Sequence, residues 1–226
     1  MTAVKHLKPH RLVCLGDLVD CYAISAFDKN PERRGSFQAD LDAASAFLAR
    51  LTDAAPRAER FLLEGNHEDR LRRLLWRMTE EQREVLGLRK VRQATTWPEM
   101  LDLGEHDWHF VPALGQAKRR LLRKVITKHG SVVRRWSAHS AKAEWERYGK
   151  SGISGHTHRL GLFYARDYNG SHVWAEAGCT CDLSPEYVED PAWQQGFLIV
   201  TEVGDRFAIE PVYIERGVAL VRGCSL

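Results

Sequence analysis

The chain has 226 residues, 44% of them hydrophobic and 28% charged, which is enough to bury a sizeable core and ordinary for a globular protein of one domain. No apolar run approaches the ~20 residues of a membrane span, and a net charge of +3 is too small to argue for a nucleic-acid partner by itself. Five cysteines without paired CxxC spacing point to reduced thiols in a cytoplasmic setting, and Cys179-Thr180-Cys181 alone cannot supply a four-ligand zinc site.

Ala3 to Leu7 reads as the end of a helix. Arg11 to Leu15 is the first strand-like run, closed by the loop Gly16-Asp17-Leu18-Val19-Asp20. Phe37, Leu41, Ala44, Leu48 and Leu51 then recur at helical steps. A second run, Phe61 to Glu64, closes on Gly65-Asn66-His67-Glu68 and is followed by helical spacing at Leu71, Leu74, Leu75 and Met78. Leu86 to Pro112 has weak periodicity, and Trp97-Pro98 breaks it; this stretch reads as an irregular insertion near the site. Arg123 to Lys128 leads into His129-Gly130, with a helix expected over Ala138, Ala141, Trp145 and Tyr148. Gly152 to Ser154 leads into Gly155-His156-Thr157-His158.

Strand, loop and helix repeat as units, which implies parallel strands whose carboxyl-end loops share one edge of a sheet. Beyond Leu160 the period changes. Leu162 to Arg166 and His172 to Glu176 flank a turn at Asn169-Gly170, and Phe197 to Val203 and Phe207 to Ile214 flank one at Gly204-Asp205, so the last third should be antiparallel.

The loops offer carboxylate, amide and imidazole groups together, a mixture that suits Mn, Fe or Zn better than Mg or Ca. Each loop has a bland explanation when taken singly: Gly16-Asp17 is an ordinary turn signal, and Asn66 or Asp69 an ordinary helix cap. Four such loops in order are harder to explain that way. By these motifs, G-D-x-x-D, G-N-H-[DE], H-G and G-H-x-H, the chain resembles the calcineurin-like metallophosphoesterases over about Leu12 to His158.

The resemblance implies an α/β fold, a layered β-sandwich of mixed sheets flanked by helices, formed by a single domain over residues 1–226. It implies a phosphoesterase in which metal-activated hydroxide attacks a phosphate ester, with a slight preference here for a phosphodiester. Asp17 would bridge two ions; Asn66, His129 and His156 would complete one shell, and His158 would serve the other. His67 would face the substrate, protonating the leaving oxygen or steadying charge. Asp20 and Glu68 would orient these groups by hydrogen bonds. The implied cofactor is a divalent transition metal, Mn first, with Fe or Zn as alternatives.

The family's first motif, D-x-H, is absent, and with it the first strand, so the domain is expected to be N-terminally incomplete. His10 precedes the strand that ends at Leu15 and lies about 20 Å of strand from Asp17, too far to substitute. One well-formed ion site and one depleted site are therefore expected. Two readings stand: a coding start placed too far downstream, or a catalytically weakened relative that binds nucleic acid or a protein. Lys118, Arg119, Arg120, Arg123, Lys124, Lys128, Arg134 and Arg135 form a basic cluster that could meet a phosphate backbone, and Trp136, Trp145, Trp174 and Trp193 could stack bases or fill the core. His106, His109, His139 and His172 match no motif.

Overall fold

The computed structural model describes residues 1–33, 35–113, 121–122, 124–185 and 188–226, in two compact units, Met1–Gly115 and Gln116–Leu226. The expected α/β class holds, with a parallel, a mixed and an antiparallel sheet and flanking helices.

In the N-terminal unit, α1 (Thr2–Leu7) ends at Lys8 in the left-handed region and leads into β1 (Arg11–Cys14). A short 3₁₀ turn (Tyr22–Ile24) follows, then α2 (Phe37–Ala54), whose first turn is fixed by the Ser36 side chain accepting the Ala39 N–H at 3.1 Å. Next come β2 (Glu59–Leu63), α3 (Asp69–Arg77) and α4 (Glu80–Gly87), the last opened by a Thr79/Gln82 capping box. The unit closes with α5 (Arg89–Ala94), α6 (Trp97–Met100) and β3 (Trp108–Val111).

The sheet runs β1-β2-β3, parallel throughout, with Val13 opposite Phe61 and Leu62 opposite Phe110. Parallel pairing explains why each strand ends in a loop at the same edge. Leu41, Ala44 and Leu48 of α2 pack with Leu62, Trp97, Leu101, Leu103 and Trp108 to form the core. Full burial of each leucine stabilises the fold by about 1.5–3 kcal/mol.

Leu86 to Pro112 corrects the expectation of an irregular insertion: it contributes α5, α6 and the third strand of the sheet. The Trp97-Pro98 break is a helix start, since proline at the first turn has no N–H to leave unsatisfied. These helices are too short for a periodic pattern to register.

In the C-terminal unit, β4 (Ile126–Lys128) precedes α7 (His139–Tyr148), and β5 (Gly152–Ser154) follows it. The long hairpin β6 (Leu160–Asp167) and β7 (Gly170–Ala177) joins them in a sheet ordered β4-β5-β7-β6, with β4, β5 and β7 parallel and β6 antiparallel to β7. A second sheet, ordered β11-β10-β9-β8, is antiparallel: β8 (Gly196–Val203), β9 (Arg206–Glu215), β10 (Val218–Val221) and β11 (Cys224–Ser225). Both hairpins form where the sequence places them.

Trp174 is the centre of the first sheet. It is fully buried, stacks on Tyr148 at 5.6 Å, donates its indole N–H to Ser154 Oγ at 3.0 Å and lies over Gly152, where any Cβ would strike the indole ring. It is a core residue and cannot stack a nucleic-acid base.

Candidate functional site

Two loops of the N-terminal unit carry five of the expected residues. Glu68 is fully buried, and its carboxylate accepts the backbone N–H groups of Asp17 at 2.9 Å, Leu18 at 2.8 Å, Val19 at 3.1 Å and Gly65 at 2.8 Å. One side chain thus ties the loop after β1 to the loop after β2. Burial and then the Asp17 charge push the Glu68 carboxyl above its ordinary pKa, while the N–H groups of Val19, Asp17 and Gly65 pull the other way. The indole N–H of Trp97 donates to the Glu68 carbonyl at 3.2 Å and pins the start of α3 from behind.

Asp17 has φ 55, a left-handed conformation rare outside glycine, and its Oδ1 accepts the His67 N–H at 2.9 Å. A Cβ on Gly65 would collide with Asp17 and with Glu68 Oε2, so only glycine lets the two loops approach this closely. The His67 ring is largely shielded, with Nε2 4.0 Å from Asp17 Oδ2 and Nδ1 3.7 Å from Asp20 Oδ1. Both distances are too long for hydrogen bonds, and either contact becomes an ion pair only when the imidazole is protonated. Asp20 forms an ion pair with Arg33, and Arg70 donates to the Asp20 carbonyl at 2.7 Å. Asn66 sits exposed at the tip of its loop.

In the C-terminal unit, the loops after β4 and β5 are stitched together by the Gly155 N–H donating to the His129 carbonyl at 2.7 Å. His129 is buried, and its ring meets that of His156 edge to face with centres 5.1 Å apart. Gly130 has φ 113, and a Cβ there would come within 3.1 Å of both the Gly155 carbonyl and His156 Cβ. His156 and His158 have φ 69 and 57, so both imidazoles project from left-handed backbone. Thr157 between them points inward and donates to the buried Glu176 at 2.7 Å. Asp17, His129 and His156 are each candidate metal ligands.

His158 has different company. Its Nδ1 is 3.8 Å from Cys181 Sγ, and it forms a group with Cys179 and Cys181 in which the ligand atoms all lie within 4.8 Å of one another. The Trp193 ring meets the imidazole edge on at 4.2 Å, and the Gln194 N–H donates to the His158 carbonyl at 2.8 Å. Hydrogen bonding between the two thiols draws Cys179 below the ordinary thiol range and pushes Cys181 above it. Reading C-x-C in isolation missed this neighbourhood. The available signal was topological: β5 and β7 are parallel neighbours, so the residues just past β7 fall beside those just past β5.

The basic cluster is only partly present as expected. Lys118, Arg119, Arg120 and Arg123 lie outside the described residues. Lys128 turns inward, gripping the buried Glu144 carboxylate at 2.9 Å, and contributes nothing to a solvated face. Lys124, Arg134 and Arg135 are exposed, Arg135 resting 5.0 Å over the ring of the exposed Trp136. Of the unassigned histidines, His172 binds Asp167 at 2.9 Å and His109 packs on Phe61 at 5.4 Å, both structural roles. Among the described residues no helix is long and apolar enough to cross a membrane.

No family model matches the chain, and no curated protein matches its sequence. Among solved structures it is similar to a single-mutant form of Vps29 from Entamoeba histolytica, at 16% identity and TM-score 0.37, covering 91% of this chain and 93% of that one. It is also similar to a double-mutant form of the same protein, at 15% identity and TM-score 0.32, covering 76% of this chain and 83% of that one.

Proposed function

We propose that the chain is a metal-dependent phosphoesterase that hydrolyses a phosphate ester, with a slight preference for a phosphodiester. The observation that carries this reading is the Glu68 clamp. A fully buried carboxylate holding four backbone N–H groups of two glycine-led loops is a costly arrangement, and its effect is to fix Asp17 and His67 beside each other.

Asp17, Asn66, His129 and His156 are each assigned as ligands of a divalent ion, and His158 to the depleted position. The donor set fits Mn, or alternatively Fe or Zn. The histidine pair also fits: two imidazoles sharing an ion through ~2.1 Å bonds set their ring centres about 5 Å apart, against the 5.1 Å found for His129 and His156. A divalent ion bound there supplies Lewis acidity toward a phosphate oxygen and acidifies water.

The chain's own residues do the rest. His67, held by its N–H on Asp17 and steered by Asp20 beside Nδ1, gives a proton to the departing ester oxygen. Arg33 and Arg70 keep Asp20 in position for that task. The left-handed turn at Asp17 lets its carboxylate accept the His67 N–H.

The test is Mn²⁺-dependent hydrolysis of bis(4-nitrophenyl) phosphate and 4-nitrophenyl phosphate by the chain and by Asp17→Asn. A rate on the diester that the variant loses supports the reading. Absence of turnover on both esters, with retained and steeply salt-dependent affinity for DNA or RNA, replaces it with a binding module.

A further inference from the structure

We propose that His158, Cys179 and Cys181 form a second, thiolate-rich metal site that takes a soft divalent ion such as Zn²⁺. The site lies wholly in the C-terminal unit; it takes His158 from the depleted position and leaves the assignments of Asp17, Asn66, His129 and His156 untouched. Its first support is geometric. In a tetrahedral zinc site with Zn–S bonds of about 2.3 Å and Zn–N bonds of about 2.05 Å, a sulfur and a nitrogen on the same ion are roughly 3.6 Å apart and two sulfurs roughly 3.8 Å apart. Cys181 Sγ and His158 Nδ1 are 3.8 Å apart, and the three ligand atoms all lie within 4.8 Å of one another.

The surrounding backbone is built to keep them there. Gln194 and Gly178 stitch the three segments together: the Gln194 N–H donates to the His158 carbonyl at 2.8 Å, the Cys179 N–H to the Gln194 carbonyl at 3.0 Å, and the Gly178 N–H to the Arg159 carbonyl at 2.7 Å. The Gln195 side-chain amide donates to the Cys181 carbonyl at 2.7 Å, securing the far end of the C-x-C turn. Gly178 sits at φ 72 where a Cβ would strike the Gln194 carbonyl, so this crossing requires glycine. Trp193 covers one side of the imidazole.

The donor chemistry selects the ion. Two sulfurs and one imidazole nitrogen favour zinc over manganese, which prefers oxygen. Binding forms two metal–sulfur bonds and one metal–nitrogen bond, and each thiol releases its proton to solvent. Three protein ligands leave a fourth position for water, the arrangement of an open zinc site. Cys181 is exposed, which gives the ion an entry path.

The experiment titrates reduced, chelator-stripped protein with Co²⁺ as a spectroscopic stand-in for zinc. The expected result is one equivalent of cobalt with thiolate-to-metal charge-transfer absorption, displaced by Zn²⁺, lost in the Cys179→Ser/Cys181→Ser double variant and retained in Asp17→Asn. Retention in Asp17→Asn separates this site from the phosphoesterase ion. Wild-type protein alone provides a second readout: Zn²⁺ should protect Cys179 and Cys181, located by peptide mass spectrometry, from iodoacetamide. No charge-transfer band, a band that survives the double substitution, or alkylation of both cysteines undiminished by zinc would each overturn the proposal.

Discussion

Glu68 accepts the backbone N–H of Asp17 at 2.9 Å across fifty-one positions of sequence, and Asp17 in turn accepts the N–H of His67 at 2.9 Å. The consequence is a closed circuit of hydrogen bonds between two loops, in which removal of one carboxylate orphans several donors. Glu68→Gln keeps the size but replaces one acceptor oxygen with an N–H₂ group that faces other donors. We predict a loss of about 2–4 kcal/mol in urea denaturation, because unsatisfied buried groups cost more than the bonds they formed. A loss below half a kcal/mol would mean that the loops hold themselves without the clamp.

His67→Gln preserves the backbone N–H to Asp17 and removes only the imidazole. If the ring protonates the leaving group, kcat on a phosphodiester should fall roughly 10²–10⁴-fold while metal affinity and melting temperature stay near wild type. The fall should shrink for an ester whose leaving group is already acidic, since such a group departs without a proton. Equal losses on good and poor leaving groups would assign His67 to binding.

The Lys128–Glu144 pair tests a different part of the molecule. Glu144 is 1% exposed and also accepts the Ser131 N–H at 3.1 Å. Lys128→Met leaves a buried carboxylate without its cation and should cost roughly 3 kcal/mol, whereas Lys128→Met combined with Glu144→Leu should recover much of that loss. Chemical denaturation of the wild type, the two single variants and the double variant completes the cycle.

Acid stability has one readable contributor. The hydrogen bond from His172 lowers the Asp167 carboxyl below its ordinary pKa of 3.8, with the Asn169 N–H assisting. A depressed carboxylate stabilises the fold above its unfolded pKa, and that contribution disappears as pH falls through the lower folded value. The melting-temperature difference between wild type and Asp167→Asn should therefore be constant near neutrality and shrink as pH drops below about 3.8. Because Asp167 is at the surface, the effect should be small, and a difference that does not vary with pH would remove the pair from the account.

Thiol reactivity offers a final prediction. Burial pushes the Cys14 thiol up to about 12 and raises that of the fully buried Cys21 as well. In the folded protein at pH 8 neither should react with iodoacetamide at a measurable rate, and both should react once denaturant is added. Labelling of Cys14 under native conditions would show that the strand before the Gly-Asp loop opens readily.

Much of this architecture could be read from residues alone, for reasons that differ from one segment to the next. Glycine-led turns after short, largely apolar or β-branched runs marked β1, β2, β4 and β5, because parallel strands read as short apolar stretches rather than as alternating ones. The two hairpins announced themselves through Gly170 and Gly204, both at positive φ. The third strand of the first sheet did not: four residues, Trp108 to Val111, are too few for alternation to register, and the helices before it are each shorter than two turns. The partners of His158 were hidden for another reason. Cys179 and Cys181 are about twenty residues away in sequence, and only the β5–β7 pairing shows that distance to be short in space. Trp97 and Arg70 likewise act through long-range contacts with Glu68 and Asp20 that no local pattern encodes.

The left-handed backbone at His156 and His158 has a consequence for how such a protein would change over generations. Glycine at either position would relieve about 1–2 kcal/mol of conformational penalty, largely offset by the extra freedom it gives the unfolded chain. Folding therefore does little to defend these imidazoles. In a lineage released from the need for their chemistry they would be among the first groups to erode, so their joint persistence in any descendant would mark a chain still under demand for what they bind.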